Sequence, residues 1–162
     1  MTYSIVKQTL APQRVLVVRR RVGRSQIAAT IGECLGRIFG HAQQNGIALS
    51  GLPFTRYCEV GPGLLTMEPG VRVTGEAPPD SDPAAECVEG EVRADTLPGG
   101  DVATTIHEGP YETLPDAWAA LEGWIASEGL TVAGAPWESY LTDPAETPDP
   151  KDWKTEICWP VR

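Results

Sequence analysis

Gly46-Ile-Ala-Leu-Ser-Gly51-Leu-Pro53-Phe54-Thr-Arg-Tyr57 returns later in the chain as Gly129-Leu-Thr-Val-Ala-Gly134-Ala-Pro136-Trp137-Glu-Ser-Tyr140. Two glycines, a proline, an aromatic and a tyrosine keep their spacing, so the chain reads as two copies of one unit. Upstream of each copy runs a helical pattern, Arg24 to Gln44 and Glu112 to Glu128, and before each helix a β-rich run, Arg14 to Arg20 and Asp101 to His107. Each unit therefore reads strand, helix, strand, strand. A seam between two such halves is a natural place for a ligand pocket.

Apolar spacing defines the helices. Ile27, Ile31, Leu35, Ile38, Phe39 and Ala42 recur at three and four residues, as do Leu114, Ala117, Trp118, Leu121, Trp124 and Ile125. Gly46 and Gly129 stand where each helix should stop in a left-handed turn. Strand signals surround the helices at Val15–Val18, Leu64–Met67, Val88–Ala94, Val102–Ile106 and Thr155–Val161. The expected architecture is an α+β fold of two pseudo-symmetric βαββ repeats, with helices Ser25–Gln44 and Thr113–Glu128 covering one side of a mostly antiparallel sheet. A length of 162 residues suits one domain. Its repeat units should span about 3–75 and 86–162, joined by a Pro- and Asp-rich loop, 76–85, that is too polar to pack and is expected to be the mobile segment.

Charge and composition narrow the function. Thirteen basic against twenty-two acidic residues give a net charge of −9, which repels a phosphate backbone and favours cationic small molecules over nucleic acid. No apolar run approaches the ~20 residues that cross a bilayer, and the start lacks a secretory pattern, so a cytoplasmic location is expected. Cys34, Cys58, Cys87 and Cys158 form no Cys-x-x-Cys pair, and only His41 and His107 could join them, so no metal site and no cofactor are expected. Haem has the same two histidines as its only candidate ligands. There is no Ser-His-Asp constellation and no glycine-rich phosphate loop.

The last strand, Thr155-Glu156-Ile157-Cys158-Trp159-Pro160-Val161, alternates with period two. Ile157, Trp159 and Val161 should meet a helix, which turns Glu156 and Cys158 to the opposite face. The same parity sets Trp137 and Ser139 against Glu138 and Tyr140, so Trp137 and Tyr140 cannot be placed in one pocket from spacing alone. His107 reads as a strand residue bonded to a neighbour, and Gly109 as a backbone position at the strand-to-helix turn.

His107-x-Gly109-x-Tyr111-x-x-Leu114, Trp118-x-x-Leu121-x-x-Trp124-Ile125-x-x-x-Gly129, Gly134-x-Pro136-Trp137-Glu138-x-Tyr140, Asp143-Pro144 and Thr155-Glu156-Ile157-x-Trp159-Pro160-Val161 together resemble the GyrI-like effector-binding domain. That family is related to the ligand domains of AraC-type and multidrug-sensing regulators. The resemblance is dense over 101–162 and looser over 3–73. It implies two SH2-like repeats around a central ligand cleft, with Glu156 as the acidic residue that pairs with cationic ligands. Tyr111, Trp137 and Tyr140 become candidate aromatic walls, with Phe54 and Tyr57 as their first-repeat counterparts. Aromatic faces attract organic cations. Regulators of this kind carry a DNA-binding domain before the ligand domain, whereas the first strand here begins close to Met1, so a free-standing ligand domain, monomeric or dimeric, is expected. No acidic counterpart of Glu156 aligns in the first repeat without gaps. The preferred reading is a binder of a cationic or polycyclic aromatic molecule. The alternative is a hydrolase that opens a strained, cyclopropane-type ring with Glu156 and a tyrosine, Tyr111 or Tyr140, as its acid/base pair.

Overall fold

In a computed structural model, the structure describes residues 3–74 and 89–162. The expected loop 76–85 and Cys87 lie outside the described residues. In chain order the elements are β1 (Ile5–Leu10), β2 (Gln13–Val18), β3 (Arg20–Gly23), α1 (Ile27–Asn45), β4 (Leu49–Val60), β5 (Leu64–Val73), β6 (Val92–Leu97), β7 (Gly100–Glu108), α2 (Leu114–Ser127), β8 (Trp137–Tyr140) and β9 (Lys154–Pro160). This is the expected α+β fold of two helices and antiparallel sheet. Both helices fall within two residues of their expected bounds.

Packing divides the chain into a central unit, 11–99, and a terminal unit, 1–10 with 100–162. In the central unit the sheet runs β6-β2-β5-β4, with β3 also on β5; in the terminal unit it runs β1-β7-β9-β8. The two orders correspond strand for strand, and the pairings within each unit are antiparallel. The edge strands do not follow the sequence halves. β1 precedes β2 in the chain but pairs with β7, and β6 precedes β7 but pairs with β2.

Each helix closes over one face of its own sheet. α2 buries Leu114, Ala117, Leu121 and Ile125 against Ala103, Ile157 and Val161, with Trp118, Trp124 and Trp159 packed beside them. Each fully buried aliphatic side chain contributes about 1.5–3 kcal/mol. α1 differs from its expected stripe: the buried line is Thr30, Cys34, Ile38 and Ala42, while Phe39 is 50% exposed. Cys34 and Ala42 are small enough to let the helix approach Leu16, Val18 and Val71. Ile27 and Ile31 pack instead on a separate cluster of Val22, Leu65 and Met67. Gly46 and Gly129 end the helices at φ 65° and 72°, as their spacing required. The amides of Ile47 and Leu130 reach back to the Ala42 and Ile125 carbonyls at 2.9 and 3.1 Å, which closes each helix with a Schellman motif.

Candidate functional site

In the terminal unit, residues opposite one another in the antiparallel ladder share a face. Ile157 lies in the α2 core, so the period of two turns Glu156 and Cys158 to the face away from the helix. The register Trp137↔Cys158, Ser139↔Glu156, Ile106↔Glu156 and Thr104↔Cys158 places Trp137, Ser139, Ile106 and Thr104 there as well. Glu156 is half-buried, Ile106 is 46% exposed, and Trp137 and Ser139 are buried. Among the described residues no basic side chain forms an ion pair with Glu156. Its recorded polar contact is the Cys158 thiol, with Sγ 3.6 Å from Oε1.

The corresponding face of the central unit carries a carboxylate at the same position. The shared motif matches Phe54 to Trp137, and from there the register Phe54↔Gly70, Arg56↔Glu68 and Tyr57↔Met67 runs parallel to Trp137↔Cys158, Ser139↔Glu156 and Tyr140↔Thr155. Glu68 is therefore the counterpart of Glu156. An ungapped alignment missed it because the connection from β4 to β5 is a tight turn, whereas β8 and β9 are joined by a long loop. The pairs Val17↔Gly70 and Arg20↔Met67 put Arg19 across from Glu68 on its other side, where the terminal unit has Ile106.

Glu68 is fully buried and held by cations. Arg56 donates Nε–H to Glu68 Oε1 at 2.9 Å, its Nη2 lies 2.7 Å from the same oxygen and 2.6 Å from Asp95 Oδ2, and Arg19 Nη2 lies 3.3 Å from Glu68 Oε2. Burial alone would lower the Arg56 pKa, but Glu68 and Asp95 outweigh it and raise the guanidinium above its ordinary value. For Asp95 burial acts upward, while the Thr96 amide and Arg56 hold the carboxyl below its usual range. The Cys58 thiol donates to Glu68 Oε1 at 3.0 Å, and burial together with that carboxylate pushes its pKa up to about 12. Phe54 is wholly buried under Arg72, whose guanidinium carbon lies 5.3 Å from the ring centre.

The tyrosines group elsewhere. Tyr140↔Thr155 and Glu138↔Ile157 are pairs of the helix-side face. Tyr111, in the turn before α2, packs with Tyr140 at 6.0 Å between ring centres and with Trp153 at 4.8 Å. Tyr140 donates its hydroxyl to Glu138 Oε1 at 3.2 Å, and Trp153 donates Nε1–H to the Thr147 carbonyl at 2.6 Å. Burial first, then Glu138 and Asp143, raises the Tyr111 pKa. Tyr57 packs on the helix-side cluster of the central unit. Of the expected site residues, Glu156, Trp137 and Phe54 thus lie on faces turned from the helices, and Tyr111, Tyr140 and Tyr57 on the helix side. Glu156 and Tyr111 are not brought together. A carboxylate that does meet a phenol is Glu138, which with Trp153, Glu68 and Arg56 was not singled out from sequence.

His107 is buried: its Nδ1 is hydrogen-bonded to the Tyr3 hydroxyl at 3.0 Å, and its Nε2 to Thr113 Oγ1 at 2.9 Å. It braces the turn into α2. Gly109, at φ 130°, has the ring and Thr113 Oγ1 within 4 Å of where a Cβ would stand. No group of three or more His, Cys, Asp or Glu among the described residues could hold a metal ion, and none of the helices described is long and apolar enough to cross a membrane.

A profile of the GyrI-like small molecule binding domain matches residues 1–162. Among solved structures, the EcmrR C-terminal domain aligns with a TM-score of 0.82 at 25% identity, over 100% of this chain and 99% of that one. SAV2435, in a structure bound to tetraphenylphosphonium, aligns at 0.62 and 16% identity over 100% and 94%. A hydrolase encoded by lin2189 from Listeria innocua aligns at 0.60 and 14% over 98% and 91%. At those two lower identities the likeness is one of fold. No curated protein sequence matches the chain.

Proposed function

The chain belongs to the GyrI-like small-molecule binding domain family, and from that premise we propose that it binds an organic cation on the terminal unit's face turned from α2, with Glu156 as the counter-charge. One observation carries this reading. Around Glu68 the ladder positions are filled by Arg19 and Arg56, while the equivalent positions around Glu156 hold Ile106 and Ser139. The same fold position is neutralised by the chain in one unit and left to an outside cation in the other. A half-buried carboxylate beside exposed apolar surface suits a lipophilic cation, since its charge meets Glu156 while its body covers Ile106. The tetraphenylphosphonium in SAV2435 is a ligand of that chemical kind.

Calorimetry with tetraphenylphosphonium and with neutral triphenylphosphine oxide tests it. Glu156→Gln should weaken the cation at least about tenfold, because it removes the counter-charge from a half-buried site, and the neutral compound far less. Equal cation affinity in parent and variant refutes the reading.

A further inference from the structure

We propose that the ligand completing Glu156 is an amidinium or guanidinium that donates N–H bonds to the carboxylate, taking the part that Arg56 and Arg19 play toward Glu68; this rests on the cation-binding reading above and names the ligand class of that site. The central unit is an internal template. Two guanidinium groups reach Glu68, Arg56 through Nε and Nη2 on one oxygen and Arg19 through Nη2 on the other. A guanidinium or amidinium presents N–H donors that a carboxylate oxygen accepts, as Glu68 Oε1 accepts from Arg56 while Arg19 adds an ion pair at Oε2, and a quaternary ammonium or phosphonium has no such donor.

The ladder positions around the two carboxylates differ in charge. In the central unit Arg19, Arg56, Glu68 and Asp95 form one ion-paired cluster. The equivalents in the terminal unit are Ile106, Ser139, Glu156 and Gln8, the last because Gln8↔Val102 occupies the register of Asp95↔Val15. The two positions that hold Arg19 and Arg56 beside Glu68 are thus neutral beside Glu156. Each carboxylate also has a cysteine Sγ beside Oε1, at 3.0 Å for Cys58 and 3.6 Å for Cys158, although the two cysteines stand on non-equivalent strands.

The test uses two aryl monocations of similar size, benzamidinium and phenyltrimethylammonium, titrated into the full chain. Benzamidinium should bind at least tenfold more tightly, and Glu156→Gln should abolish the preference. Equal affinity, or tighter binding of the trimethylammonium, overturns the inference while leaving the cation reading intact if both probes weaken in Glu156→Gln. If neither probe depends on Glu156, the cation reading itself fails. Ser139→Arg gives a second check, because an arginine there should occupy Glu156 as Arg56 occupies Glu68. With an unchanged circular dichroism spectrum, that variant should lose benzamidinium binding at least tenfold, and undiminished binding overturns the proposal. Should it not fold, the two probes on parent and Glu156→Gln decide.

Discussion

Arg56 reaches across the β4–β5 ladder to Glu68, with the guanidinium only 12% and the carboxylate 1% exposed. Two charges removed from water this completely are tolerated because each satisfies the other, and removing one strands its partner. Arg56→Ala should therefore lower the unfolding free energy by about 3 kcal/mol, the lower end of the range for a broken buried pair because Arg19 still reaches Oε2. Urea denaturation measures it. A loss below about 1 kcal/mol would mean that water enters and hydrates Glu68, and would remove the basis for treating Arg56 as its built-in cation.

Asp95 gives this network a pH signature. Its folded carboxyl is held below its ordinary value despite partial burial. A depressed carboxyl stabilises the fold fully above the unfolded pKa, about 3.9, and that stabilisation is lost as pH falls through the folded value. Melting temperatures of the parent and Asp95→Asn should differ most above about pH 5 and converge on acidification. A gap that is constant from neutral to acid pH would show that Asp95 acts through packing and not through its charge.

Cys58 should be an inert thiol: the residue as a whole is exposed, but its Sγ lies 3.0 Å from the buried Glu68 carboxylate, out of water. With its pKa near 12 against an ordinary 9.0, it carries roughly a thousandfold less thiolate at pH 8 than a free cysteine, and the thiolate is the nucleophile. Iodoacetamide should label it correspondingly slowly, and Glu68→Gln should speed labelling by removing the adjacent negative charge. Labelling of the parent at the rate of free cysteine would contradict the hydrogen bond to Glu68.

The helices, their glycine stops and the parity of Glu156 were legible because each depends on residues close in sequence. Ile157, Trp159 and Val161 alternate with Glu156 and Cys158 whatever lies beyond the strand, and α2 covers the apolar set as expected. The Glu68 cluster was not legible. Arg19 sits in a basic triplet that reads as a weak surface patch, and its contact with Glu68 exists only through the β2–β5 and β3–β5 register. Likewise Trp153 reaches Tyr111 from a loop whose course no periodicity predicts. Exchange of the edge strands β1 and β6 left no trace in the repeat, because edge pairing is set by topology and not by a motif.

Gly70 and Gly36 separate the two reasons a chain keeps glycine. Gly70 stands in β5 where the terminal unit has Cys158, and a Cβ there would lie 2.7 Å from the Leu16 carbonyl oxygen, Phe54 Cζ and Val17 Cγ1. The side chains could shift, but the carbonyl belongs to the ladder and cannot, so Gly70→Ala should destabilise by at least the ~1–3 kcal/mol of an overpacked core. Gly36 is exposed within α1 and a Cβ would meet nothing within 4 Å. Gly36→Ala should therefore stabilise by about 0.5–1 kcal/mol, since alanine restricts the unfolded chain and favours helix. Denaturation midpoints moving in opposite directions are the expected result. A neutral Gly70→Ala would show that β5 can move away from β2, and with it that the Arg19–Glu68 contact is not held by the ladder.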